Sequence, residues 1–194
     1  MRAADRTAGL LLITGFVFMI PGVAFAVSSQ TGSDLVPATF DARAGAILLA
    51  VTLILTLVGL VLFDTILWRS RERVLPTLGT AAYVVAVAAW LAATVHALTA
   101  HRWTYALEVT YIVAAGCAML AFGAAVVRAG APARWVGWAA TGWSAGALIL
   151  FALPSENYPP LLVQFVPLLL GIALVRAGGR ARLRGRFETA TGSS

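Results

Sequence analysis

Residues 44–68 read AGAILLAVTLILTLVGLVLFDTILW, and residues 69–73 follow as RSRER. One ionisable side chain, Asp64, interrupts an otherwise apolar run that ends abruptly in Arg69, Arg71 and Arg73. A helix rises 1.5 Å per residue, so about 20 such residues cross the ~30 Å of hydrocarbon in a bilayer. The stretch predicts a membrane-spanning helix closed by a basic cluster at the headgroup level.

Five further stretches of similar character lie to either side, at 8–27, 77–99, 103–127, 135–153 and 158–175. Of 194 residues 60% are hydrophobic and 11% charged, less than half the ~25% charged share of soluble domains. Connections as short as 100–102 and 154–157 leave no room for a second domain. The expected fold is all-α: a polytopic transmembrane bundle of six spans over 1–177, each helix satisfying its own backbone, and a basic tail over 178–194.

The arginines orient the bundle. With the N-terminus inside, Arg2, Arg6, Arg69, Arg71, Arg73, Arg128, Arg134, Arg176, Arg180, Arg182, Arg184 and Arg186 fall on the cytoplasmic side, leaving only Arg43 and Arg102 outside. Short loops rich in arginine stay inside, so both termini are expected there. The net charge of +6 is thereby a feature of topology and not of nucleic-acid binding. Residues 69–73 and the arginines from Arg176 to Arg186 are expected to meet anionic lipid headgroups, at about 1 kcal/mol per side chain near the surface. Ala, Gly and Arg are abundant and lysine is absent, a composition of GC-rich bacterial genomes, which points to a bacterial cytoplasmic membrane. The first span carries features of a secretory signal, with Arg2 and Arg6 ahead and Ala24-Phe25-Ala26 behind. Its apolar character continues to Val27, however, so a retained helix is expected.

Local features fix the helix ends and the packing. Pro76 suits the first turn of the third helix, where a missing N–H costs nothing, and Pro132 precedes the fifth. Pro167 removes a hydrogen bond within the sixth span, which predicts a kink. Trp68, Trp135 and Trp138 mark the inner boundary, and Trp103, Tyr105 and Tyr158 the outer. Small residues recur every four positions at Ala82/Ala86, Ala89/Ala93, Ala114/Ala118, Ala121/Ala125, Gly137/Thr141/Ala145 and Gly142/Gly146. Such stripes let backbones approach closely, so helices three to five are expected to form the tight core, with bulkier first and second helices outside it.

Familiar chemistry is sparse. The absence of lysine excludes a Schiff base, and the single Cys117 excludes an intramolecular disulfide or Cys-x-x-Cys pair. Gly142-Trp143-Ser144-Ala145-Gly146 matches the G-x-S-x-G nucleophile pattern, but that motif needs a strand-to-helix turn and this segment reads as continuous helix. His96 and His101 cannot supply paired axial haem ligands from one helix face, and with Glu108 they lack zinc-ligand spacing, so no metal or cofactor is expected.

Ionisable groups within membrane segments remain the best pointers to function. Asp64, about one turn from the basic cluster, is expected to pair at the inner interface with Arg69, Arg71 and Arg73. His96 and Glu108 flank the turn at His101-Arg102 at equal depth in adjacent antiparallel helices. They are expected to share an outer polar pocket that Gln164, Arg43 and Asp41 complete.

RTAGLLLI at 6–13, Phe122-Gly123, and RAGAPARWVGW at 128–138 form a pattern in which a helix exits to a short basic turn and then restarts through Pro, an aromatic and Gly. In these segments the chain resembles a bacterial family of small polytopic membrane proteins classed as a domain of unknown function. The resemblance implies six helices over most of the chain, and its motifs carry no catalytic residue. The expected role is a non-enzymatic accessory or assembly protein that packs through small-residue faces, as a homo-oligomer or with another membrane protein. The alternatives are a small-ligand carrier or receptor using the outer polar pocket, and an intramembrane enzyme.

Overall fold

The computed structural model describes residues 3–31, 42–69, 72–100, 105–130, 132–152 and 160–177, and all its described elements are helical. They are α1 (Ala3–Thr31), α2 (Ala42–Trp68), α3 (Val74–Ala100), α4 (Tyr105–Ala129) and α5 (Arg134–Ala152), then a 3-10 turn (Pro160–Gln164) leading into α6 (165–177). Four are long and apolar enough to cross a membrane, over Ile47–Trp68, Val74–His96, Tyr105–Ala129 and Arg134–Ala152. Outward positions on α2 and α3 are aliphatic, including Ile47, Ile54, Val61, Val84 and Val95. A soluble bundle would turn a polar face outward, and large exposed apolar surfaces mark a membrane or a partner.

Helix boundaries follow local chemistry. Gly130 ends α4 at φ 66°, and its N–H donates to the Val126 carbonyl at 2.9 Å, a left-handed cap that glycine adopts without strain. Pro76 stands third in α3, within the first turn. Pro167 falls near the start of α6 and not at mid-span. The chain runs as a 3-10 turn up to Gln164 and becomes α-helical at 165, so Pro167 lies in the first turn of α6, where N–H groups lack helical acceptors anyway. The helix type thus changes just ahead of the proline at which the sequence predicts a kink.

Successive helices pack as antiparallel neighbours and α6 closes the ring. A Cβ built on Gly9 of α1 would lie 2.8 Å from the Gly171 carbonyl oxygen of α6, and Phe165 lies between Phe16 and Trp143, at 5.2 and 5.5 Å between ring centroids. Arg6, Arg69, Arg73, Arg128, Arg134 and Arg176 consequently share one end of the bundle, all of them exposed. The most enclosed element is α4, of which 56% of the apolar span is buried against 28–39% for the other three candidate spans. Tyr111, Ile112, Met119 and Phe122 of α4 form its inward row, and Phe122 stacks on Phe63 of α2 at 5.9 Å.

Close helix approach is not confined to helices three to five. Gly15 meets Thr56 and Gly59 meets Leu12, which brings α1 and α2 together as glycine brings α3 to α4 at Gly79 and α4 to α5 at Gly123 and Gly137. Gly142 and Gly146, expected in the core, have nothing within 4 Å of where a Cβ would stand. They lie on an outward face of α5.

Candidate functional site

Polar side chains inside the bundle converge on Gln164, the last residue of the 3-10 turn and 3% exposed. Its Nε2 donates to the Tyr111 hydroxyl at 2.8 Å and to the Tyr83 hydroxyl at 3.1 Å, and the Tyr83 O–H reaches Gln164 Oε1 at 3.4 Å. The Thr56 hydroxyl also bonds Tyr83. One glutamine thus joins α3, α4 and, through Tyr83, α2 to the start of α6. Trp90 packs on Tyr111 at 4.8 Å between ring centroids and covers the cluster from α3. The space bounded by Met19, Leu49, Thr52, Leu53, Trp90, Tyr111 and Gln164 gives the centre of a water molecule about 10 Å³. Pockets for small-molecule ligands run to roughly 300–1,000 Å³, so in this conformation the cluster is a polar knot and not a ligand chamber.

At the arginine-bearing end a second polar group forms. Arg69 donates to Asp5 Oδ1 at 3.4 Å, linking the end of α2 to the start of α1. Asp64 is buried and accepts from the Thr80 hydroxyl at 3.4 Å, and among the described residues its Oδ1 has no hydrogen-bond partner. The expected pairing of Asp64 with Arg69 is therefore replaced by two separate contacts. Five helical residues turn through about 140° beyond one full circle, so Asp64 faces α3 while Arg69 faces α1. Arg73 stacks on the Trp68 ring at 5.9 Å, and the Trp68 Nε1 donates to the Thr77 hydroxyl at 3.3 Å. Arg71 lies outside the described residues.

The expected outer pocket is only partly visible. Gln164 is buried in the cluster just described. Glu108 is half-buried in the first turn of α4, where a carboxylate suits the positive end of the helix dipole. His96 is exposed, and no hydrogen bond to its imidazole is found among the described residues. The structure brings Gln164 to Tyr83 and Tyr111, not to His96. Asp41, the side chain of Arg43, and the arginines of the tail beyond residue 177 lie outside the described residues. Among the described residues no group of three or more His, Cys, Asp or Glu could hold a metal.

Sequence reasoning missed Tyr83, Tyr111, Thr52, Thr56 and Asp5. The first two carried a readable signal: a tyrosine within an apolar span, more than a turn inside its nearer boundary, needs a partner for its hydroxyl. Gln164, the partner, is legible in the sequence as a polar residue of the sixth span, without its two tyrosines.

On α5, Ser144 is wholly buried and donates to the Ala140 carbonyl at 2.8 Å, so its hydroxyl is turned onto its own helix. Trp143 donates from Nε1 to the Leu162 carbonyl at 2.6 Å, fastening α5 to the 3-10 turn. Its ring borders an apolar groove of about 280 Å³ with Ala139, Phe165, Val166, Leu169 and Ile172. Gly142 and Gly146 of the same helix are open, and Trp135, Trp138, Ile149 and Leu150 are exposed along it. Compared with protein-family models, curated proteins and solved structures, the chain matches none.

Proposed function

We propose that this is a six-span protein of a bacterial cytoplasmic membrane, with both termini inside, acting as a non-enzymatic assembly subunit whose α5 face receives another transmembrane helix. The arginines gathered at one end of the bundle support the orientation. The length of α6 supports the sixth span. Thirteen α-helical residues at 1.5 Å and five 3-10 residues at about 2.0 Å together reach about 30 Å, the thickness of the hydrocarbon layer.

One observation carries the assembly reading. Eight helical glycines (Gly9, Gly15, Gly59, Gly79, Gly116, Gly123, Gly137 and Gly171) each have a neighbour within 2.9 Å of a built Cβ, so this fold uses glycine where helices touch. Gly142 and Gly146 of α5, by contrast, have nothing within 4 Å, and they share one face at four-residue spacing. Glycine costs a helix about 1 kcal/mol relative to alanine, and small-xxx-small faces are how transmembrane helices associate. The sealed centre of the bundle, with about 10 Å³ beside Gln164, gives the carrier reading no comparable support.

Purification of the wild type and of Gly142→Leu and Gly146→Leu from cell membranes in mild detergent tests this. The expected outcome is a complex larger than one chain in the wild type, lost in both variants while thermal stability stays unchanged. A wild-type chain that runs alone, with no partner trapped by photocrosslinking from position 146 in cells, overturns it. Reporter fusions after Ser194 and within residues 30–38 check the orientation, inside and outside respectively.

A further inference from the structure

Thr52 stands in the middle of α2, 1% exposed, and its hydroxyl has no hydrogen-bond partner among the described residues. Other helical threonines of this chain turn the hydroxyl back to the carbonyl four residues earlier, as Thr99, Thr110 and Thr141 do at 2.8 Å. An orphaned buried hydroxyl costs about 1–3 kcal/mol, so its escape from this easy arrangement calls for a partner elsewhere. Thr52 lines the small space beside Gln164. A glutamine carbonyl oxygen has two lone pairs, and Gln164 Oε1 accepts one bond, from Tyr83.

We infer that this space binds one water molecule, which accepts the Thr52 hydroxyl proton and donates to Gln164 Oε1. The size fits: about 10 Å³ for the centre of a water molecule is at the lower limit for holding one, and leaves nothing for a larger ligand. The chemistry fits as well. Dry cavities are lined by apolar groups alone, whereas here walls that are otherwise almost wholly apolar, from Met19, Leu49, Leu53 and Trp90, also include Thr52, with its unpartnered hydroxyl, and Gln164. A bare cation is disfavoured, because the lining side chains carry no charge to offset it.

The water completes a ring of hydrogen bonds. From Thr52 it passes through the water to Gln164, on to Tyr83, and back to α2 at Thr56, one helical turn from its origin. The site is thus a clasp that ties α2 to the 3-10 turn at two points.

The full-length protein in sodium-free liposomes, labelled uniformly with ¹⁵N, supplies the test by solid-state nuclear magnetic resonance. The side-chain amide signal lost in Gln164→Leu is that of Gln164. In the wild type it receives magnetisation from water at mixing times that leave the core amides of α4 silent. The isosteric Thr52→Val loses that transfer and Thr52→Ser keeps it. Absence of transfer in the wild type overturns the inference without recourse to any variant. Transfer that survives in Thr52→Val overturns it too, and so does a shift of the Gln164 signal on adding sodium, which would mark a cation site.

Discussion

Two glycine pairs on neighbouring turns of the molecule have the same composition and opposite surroundings. A Cβ on Gly137 would lie 2.7 Å from the Val127 backbone nitrogen and 2.8 Å from the Gly123 carbonyl oxygen, and one on Gly123 would lie 2.5 Å from the Thr141 hydroxyl. Gly142 and Gly146, five and nine residues further along α5, meet nothing. The first pair is where α4 and α5 touch, and the second is open. A four-residue repeat of small residues therefore says that a helix face is thin. It does not say which neighbour the face is thin for.

Leucine substitutions test that contrast most severely. Gly137→Leu places a side chain against backbone atoms of α4, which cannot yield as a flexible side chain would, and should destabilise the bundle by about 3 kcal/mol or more. Gly142→Leu adds the same atoms into open space and improves helix propensity, so the isolated chain should be unchanged or up to ~0.8 kcal/mol more stable. Unfolding in mixed detergent, followed by circular dichroism, reads both. Equal losses would mean that the Gly142 face is already covered by part of this chain, and the distinction between the pairs would collapse.

The same contrast explains what was legible in the sequence. The spans could be read because length and apolarity are properties of each stretch alone, and α2 through α5 begin and end within a few residues of expectation. Which face of a span turns inward is a property of two helices at once. Apolar residues surround each helix, so no polar side marks the outside. Spacing alone therefore places Gly142 and Gly146 in the core, and it gives no sign that Gly9 and Gly15 of α1 pack on α6 and α2. Likewise His96 and Glu108 were paired from equal depth about a turn. Depth is fixed by counting residues, whereas facing depends on helix rotation, and the buried contacts among Tyr83, Tyr111 and Gln164 rest on rotations that counting does not give.

A middle-sized effect is expected at that cluster, the polar counterpart of the enclosed glycines. Gln164→Leu keeps the volume but removes the partner of two buried phenols. Hydrogen bonds between membrane helices average about 0.6 kcal/mol, while buried hydroxyls left unsatisfied cost about 1–3 kcal/mol. A loss of about 1–3 kcal/mol follows, with Tyr83→Phe near the lower end because Gln164 keeps its bond to Tyr111. The mixed-detergent unfolding that compares the glycines measures this as well. A Gln164→Leu variant as stable as the wild type would show that the cluster is incidental to the closure of the ring by α6.

The smallest effect is expected where a polar contact is open on one side. Arg69 and Asp5 join α2 to α1 at 3.4 Å, but the Arg69 side chain is 44% exposed while that of Asp5 is 7% exposed. Exposed ion pairs are worth about 0–1 kcal/mol, since water screens the attraction and two long side chains must be held still. Asp5→Asn should therefore cost no more than about 1 kcal/mol, and the difference from the wild type should shrink as salt brings the screening length down to about 3 Å near 1 M. Gln164→Leu, by contrast, removes neutral contacts sealed from solvent, and its cost should be the same at every salt concentration. Unfolding curves of the two variants at low and high salt separate these behaviours. A salt-independent loss at Asp5 above 2 kcal/mol would place that pair in an enclosed setting, and the distinction between the open end and the sealed centre would then fail.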